Sequence, residues 1–192
     1  MTNKKAYYIS DLHLRDQSIF DKCKRMFQNL EEMEKTIINN WNSRVNTDDD
    51  VYVLGDIADD NPETIEVYRN LSGHKHLIVG NHDHIILNEI KESGIFESVN
   101  FIDVIEDSGC KICLCHYPLM DWMEFNRQGY LVYGHVHNKT GEMNGKQYNQ
   151  IKQYFSDKPA FNCGVDVTGF RPVTLDEMIK MKEDGKNDPY IH

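Results

Sequence analysis

The amino-acid sequence predicts a layered α/β domain, and two observations carry that prediction. Three short β-prone apolar runs, 6–9, 51–54 and 77–79, alternate with two helix-like stretches. A β, α, β, α, β order packs helices onto a sheet. Each run also stops abruptly at Gly or polar residues, the punctuation of a strand exit. Open α/β sheets bind ligands at that edge.

The first run leads into Ser10, Asp11, Leu12 and His13. Residues two apart on an extended backbone share a face, so Asp11 and His13 point the same way. Cys23, Met26, Phe27, Leu30, Met33, Ile37, Ile38 and Trp41 then recur at the three- and four-residue steps of an amphipathic helix. Asn29 followed by Glu32 is a capping signal at which that helix restarts. The polar stretch holding Asp48, Asp49 and Asp50 reads as a solvated loop. The second strand ends in Gly55, Asp56, Ile57, Ala58 and Asp59, with Asp59 as a turn residue. Asn61 as N-cap, Pro62 at the first helical position and Gly73 past the last turn bound the next helix.

The third strand ends in Gly80, Asn81, His82 and Asp83. An Asn oxygen can coordinate a cation, and a His beside an Asp has the form of a proton donor with its orienting partner. Taken alone, a polar turn that happens to contain His is the commoner reading. Ile85, Ile86 and Ile90 predict a helix running to Gly94. Runs 99–105 and 110–115 around the polar residues 106–109 predict a hairpin whose second arm delivers His116. Strand 130–133 terminates in Gly134, His135, Val136 and His137. Segment 138–158 lacks an apolar period and reads as a loop bordering the site, with one helical turn near Tyr154 and Phe155. A strand and turn over 161–166 follow. Thr174 with Glu177 then forms a capping box that opens a last helix, stopped by Gly185. With no internal repeat or linker, 1–192 reads as one domain.

The formal net charge of -10 predicts a soluble acidic protein and argues against a non-specific grip on duplex nucleic acid. Two bound divalent cations would reverse that field locally for an anionic substrate. No apolar run reaches membrane-spanning length, and the amino terminus leads straight into a strand, so the expected compartment is the cytoplasm, without membrane partners. Five cysteines, an odd number, argue against a disulfide framework. Cys110 and Cys113 read as small strand residues rather than as half of a zinc site.

Five strand ends thus present metal-ligand types: Asp11 with His13, Asp56, Asn81 with His82, His116, and His135 with His137. The mixture of imidazole, carboxylate and amide suits manganese, iron or zinc better than a thiolate site would. The order D-x-H, G-D-x-x-D, G-N-H-D, H, G-H-x-H resembles the calcineurin-like metallophosphoesterases. A looser match through Asn162, Gly164, Val165, Asp166, Arg171, Pro172 and Val173 is similar to a small bacterial or phage-like branch. The resemblance implies two sheets sandwiched between helices, and two divalent metal ions, manganese ahead of iron or zinc. Asp11, His13, Asp56 and His137 would hold one ion, and Asp56, Asn81, His116 and His135 the other, with Asp56 as the bridge. It implies hydrolysis of a phosphodiester or small phosphomonoester by a water shared between the metals. His82 would serve the leaving oxygen, and Asp83 would orient the His82 ring. The alternatives are a nuclease acting on short nucleic acid and a metal-binding scaffold without turnover.

The phosphoprotein phosphatase branch continues its second motif toward an arginine and ends its third with Glu. Here Asp60, Asn61 and Asp83 occupy those positions, and an acid at Asp60 repels a phosphate dianion. His74, His76, His84 and His192 read as surface or turn residues, and Arg171 as a surface ion-pair partner. Tyr117, Trp122 and Phe125 either line a substrate cleft or pack under the loop after His116.

Overall fold

A computed structural model describes residues 4–127, 129–137 and 144–185, with the side chains of 144–148 excepted. Among the described residues, eight strands form two four-stranded sheets. Strands β1 (Ala6–Ile9), β2 (Asp50–Val53), β3 (His74–Ile78) and β4 (Ser98–Asn100) run parallel, with Ile9 opposite Val53 and Leu77 opposite Val99. In the second sheet β5 (Ile102–Asp107) pairs antiparallel with β6 (Cys110–Cys115), and β6, β7 (Tyr130–Tyr133) and β8 (Ala160–Asn162) are parallel.

Alternation along β1 shows how the layers form. Tyr8, with Leu54, Ile78, Leu114, Val132 and Phe161, fills the space between the sheets. Its neighbours Tyr7 and Ile9 face the other way, onto Met33, Ile37 and Trp41. Those three lie on α2 (Leu30–Arg44), which covers the first sheet with a 3-10 helix over Pro62–Asn70 and α3 (Leu87–Glu92). The outer face of the second sheet packs Cys113, Leu131 and Tyr133 against Trp122 and Phe155, the latter just beyond α4 (Asn144–Tyr154). The order of layers is helix, sheet, sheet, helix. Central strands buried on both faces explain why 51–54 and 77–79 read as continuous apolar runs.

Several local expectations hold. Asn29 caps α2 by accepting from the Glu32 N–H, and Asn61 does the same for Glu63 ahead of Pro62. Thr174 and Glu177 make the reciprocal capping box of α5 (Leu175–Glu183). Others need correction. The helix does restart at Asn29, since α1 (Gln17–Cys23) ends at Lys24 in a left-handed conformation, but Met26, expected on the buried face, is left 79% exposed. The run 99–105 is not one hairpin arm. It breaks at the exposed Phe101, with β4 in the first sheet and β5 in the second. The connection to β6 is two residues, Ser108 and Gly109, both at positive φ, as a tight hairpin prefers.

The helix after Pro62 is 3-10, ends at Asn70, and leaves Gly73 packed over Val45 and Asp49 rather than capping it. Eleven residues of the stretch read as loop form α4; residues 138–143 and His192 lie outside those described. Asp49 is buried, accepting hydrogen bonds from the backbone N–H groups of Lys5 and Asn46. Cys113 is buried on β6 and Cys110 partly so, and both are free thiols. No described helix is long and apolar enough to cross a membrane.

Candidate metal centre

The strand exits bring the predicted ligands to one place. Asp11, His13 and His137 present ligand atoms within 4.8 Å of one another, and so do Asp56, His116 and His135. The two groups meet at Asp56. Its Oδ2 lies 3.5 Å from His13 Nε2 and 3.5 Å from His116 Nε2, while its Oδ1 accepts from the His82 backbone N–H at 2.9 Å. Asn81 completes the second group, with Oδ1 at 3.1 Å from His116 Nε2 and 2.9 Å from His135 Nδ1.

Local backbone geometry aims these side chains. Asp11, His13, Asp56 and His135 all have φ between 47° and 67°, a region that non-glycine residues occupy at a cost of order 1–3 kcal/mol each. Two glycines make the crowding possible. A Cβ on Gly134 would lie 1.8 Å from Ser10 Oγ and 2.6 Å from Asp11 Oδ2, and one on Gly80 would lie 2.4 Å from Asp56 Oδ1.

A surrounding layer of hydrogen bonds fixes the ligands. Asp11 Oδ2 accepts from the Ser10 hydroxyl and the His135 backbone N–H at 2.6 and 2.9 Å. His116 Nδ1 donates to the Leu54 carbonyl at 2.6 Å, leaving Nε2 as the free lone pair beside Asp56. His137 Nδ1 sits 2.7 Å from Asp166 Oδ2, turning Nε2 toward Asp11. Such partners set the tautomer and orientation of a ligating imidazole. Asp166 in turn accepts from Arg25 Nε and Nη2 at 3.1 and 3.2 Å, and Arg25 also donates to the carbonyls of Asp11 and Leu12.

The charges follow from these contacts. Burial works to raise the Asp166 carboxyl, but Arg25 and the His137 ring outweigh it and hold its pKa at about 2. Burial disfavours the charged His137 ring too, yet Asp11, Asp166 and the neighbouring Cys23 raise its pKa to about 10; a cation held at Nε2 would take the place of that second ring proton. Burial depresses the pKa values of His13 and His135, leaving neutral rings of the kind metals bind.

His13 tests whether the donor set fits a cation. It is fully buried, and neither ring nitrogen makes a hydrogen bond, with Asp16 Oδ2 at 3.4 Å from Nδ1 lacking hydrogen-bond geometry. An unsatisfied buried polar group costs about 1–3 kcal/mol, which coordination of Nε2 would relieve. Carboxylate, amide and imidazole donors with no required thiolate suit a hard or borderline divalent ion.

One expected role is corrected. Asp83 does not orient His82. Its buried carboxylate accepts from the backbone N–H groups of Asp56, Ile57 and Gly80 at 2.7–3.0 Å, tying two strand exits together. The His82 ring instead packs edge-on to His13, centroids 5.0 Å apart. Sequence reasoning passed over Ser10, Arg25 and the position of Asp166. Asp166 had only the loose C-terminal match, and Arg25 had no signal beyond being a cation in an apolar stretch. The expectations at the margins hold: Asp59 organises a turn, Arg171 pairs with Glu177, and His74, His76 and His84 bond or stack away from the centre.

A sandwich of two sheets between helices, with imidazole, carboxylate and amide donors gathered at its strand exits, defines a protein of the metallophosphoesterase fold. The model of the calcineurin-like phosphoesterase superfamily domain matches residues 5–152. The chain belongs to that superfamily, whose members are in general metal-dependent phosphoesterases. It is 34% identical over 192 residues to an uncharacterized protein of Methanocaldococcus jannaschii, covering 97% of this chain and 96% of the relative. The gene 66 protein of Mycobacterium phage L5 is 31% identical over 82 residues, 41% of this chain and 39% of its own. A protein of unknown function from Aquifex aeolicus has a similar crystal structure, with TM-score 0.70 and 27% identity, covering 93% of this chain and all of that one.

Proposed function

We propose that this protein is a dinuclear metal-dependent hydrolase of phosphodiesters or small phosphomonoesters. What most supports the reading is Asp56, one carboxylate oxygen of which lies 3.5 Å from an imidazole of each ligand group. Asp11, His13, Asp56 and His137 would hold one divalent cation, and Asp56, Asn81, His116 and His135 the second, with manganese the first choice. Bound there, a cation pair supplies positive charge for a phosphoryl group and lowers the pKa of water enough to make it a nucleophile at neutral pH.

The chain's own part is positioning. The His82 backbone N–H holds Asp56 Oδ1 at 2.9 Å, which ties the Asp56 carboxylate to the backbone that carries the His82 ring. That ring is partly exposed and borders the centre through His13. Its place in the reaction is to give a proton to the departing ester oxygen, which needs hydrogen-bond reach to that oxygen and no metal contact. Asp166 and the Leu54 carbonyl hold His137 and His116 in the tautomers that face Asp11 and Asp56.

The test is metal-stripped protein reloaded with manganese and assayed on a chromogenic phosphodiester and monoester. Turnover is expected with manganese, and its absence with every divalent ion would reject the hydrolase reading. His82→Ala should lose about 10²–10⁴-fold in kcat, the usual worth of a general acid, while still binding two metals per chain. Loss of metal instead would place His82 among the ligands.

A further inference from the structure

The loop after His116 and the end of α4 enclose a cleft of about 430 Å³ whose wall includes His135, so it opens directly onto the candidate metal centre. Tyr117, Met120, Ile151, Tyr154 and Phe155 supply its other surfaces. The volume falls within the range of about 300–1,000 Å³ common for small-molecule sites.

Its chemistry is readable from three contacts. The Tyr117 ring is 42% exposed and sits edge-on to both His135 and His116, with centroids 4.8 and 5.1 Å apart, so an accessible aromatic surface borders the centre. The Tyr154 hydroxyl donates to the Met120 carbonyl at 2.9 Å, which ties α4 to the loop and occupies that polar group within the protein. No Asp, Glu, Lys or Arg is among the described lining residues, and Gln150 is the one amide. Lys158, which packs over the Tyr154 ring, is occupied by the Tyr154 carbonyl and Asp157.

The described walls reward a flat apolar group, and none of their side chains would neutralise a second phosphate or a carboxylate, whose desolvation would go uncompensated there. We infer that the substrates carry, on the ester phosphate, an uncharged planar ring that lies in this cleft between Tyr117 and the α4 side chain of Ile151. The inference rests on the hydrolase reading above, because it is the metal centre that would place the phosphorus beside His135. It assigns Tyr117 and Ile151 to substrate selection, a role separate from the ligands and from His82.

The test is calorimetric titration of manganese-loaded protein with phenylphosphonate and methylphosphonate, which share the anionic head and differ in the ring. Phenylphosphonate should bind about tenfold tighter, the order expected from covering a ring with apolar walls. The ratio should fall to within twofold in Tyr117→Ala and in Ile151→Asp. Equal affinities in the parent protein, or a ratio that survives either substitution, would overturn the inference while leaving the hydrolase reading intact. Failure of both phosphonates to bind the loaded protein would overturn both.

Discussion

Replacing Asp166 with alanine separates folding from metal binding, because its carboxylate serves both. In the folded chain it is 6% exposed, takes two hydrogen bonds from Arg25, itself 6% exposed, and holds His137 at 2.7 Å. Truncation strands a buried guanidinium whose remaining partners are chiefly two carbonyls. Removing one member of a buried ion pair costs about 3–5 kcal/mol. At about 2–4 °C per kcal/mol for a chain of this size, melting in chelator should fall by roughly 6–20 °C. The double variant Arg25→Met, Asp166→Ala should recover much of that loss, since no buried guanidinium is left unpaired. Neither variant restores the partner of His137, so affinity at the Asp11, His13 and His137 group should drop about 10–100-fold in both. The Asp56, His116 and His135 group, oriented through the Leu54 carbonyl, should bind as before. Manganese titration resolves the two sites. A single variant melting within about 3 °C of the parent, or equal weakening of both sites, would refute this account.

The remaining predictions concern the same framework. Gly134→Ala drives a methyl into Ser10 and the Asp11 carboxylate; it should cost about 1–3 kcal/mol and abolish stoichiometric binding at the Asp11 group, read by metal analysis after gel filtration. Asp83→Asn replaces an acceptor of three backbone N–H groups and should cost roughly 2 kcal/mol in urea unfolding, whereas a ring-orienting role would lower turnover at unchanged stability. For Asp49, burial works to raise its pKa, but backbone N–H groups of Asn46 and Lys5 hold it below the ordinary value. A depressed folded pKa stabilises above the unfolded value and is lost as pH falls through the folded one. Asp49→Asn should therefore cost about 1 kcal/mol at pH 7, and melting curves should show that gap narrowing below pH 4.

The parts of this molecule legible in its sequence are those set by neighbours along the chain. Asn29, Asn61 and Thr174 cap helices because the N–H groups they satisfy lie two or three residues away. The candidate ligands Asp11, His13, Asp56, Asn81, His116, His135 and His137 were legible because each stands within four residues of a strand end, and parallel strands deliver their ends to one edge. What stayed hidden depends on distant partners. Arg25 finds Asp166 across 141 positions, which no local pattern encodes. Asp83 looked like the partner of the adjacent imidazole, but three backbone donors from two loops outcompete one partly exposed ring. The division of 99–105 between two sheets turns on Phe101, whose apolar character gives no hint that it stays in solvent. Segment 138–158 looked structureless because, among the described side chains of α4, only Ile151 and Tyr154 pack against the apolar cluster of the second sheet.

The left-handed backbone at Asp11, His13, Asp56 and His135 also bears on how such a chain can change over generations. Each of these residues sits where glycine or asparagine would rest more comfortably, so the centre is maintained against a standing thermodynamic preference. A lineage with no use for a metal centre would gain stability by giving up these four residues, a trade between function and stability. Position 135 would go first, because its ring is half-exposed and supports little else in the fold. Position 11 would go last, since its carboxylate also anchors Ser10 and the turn at residue 135.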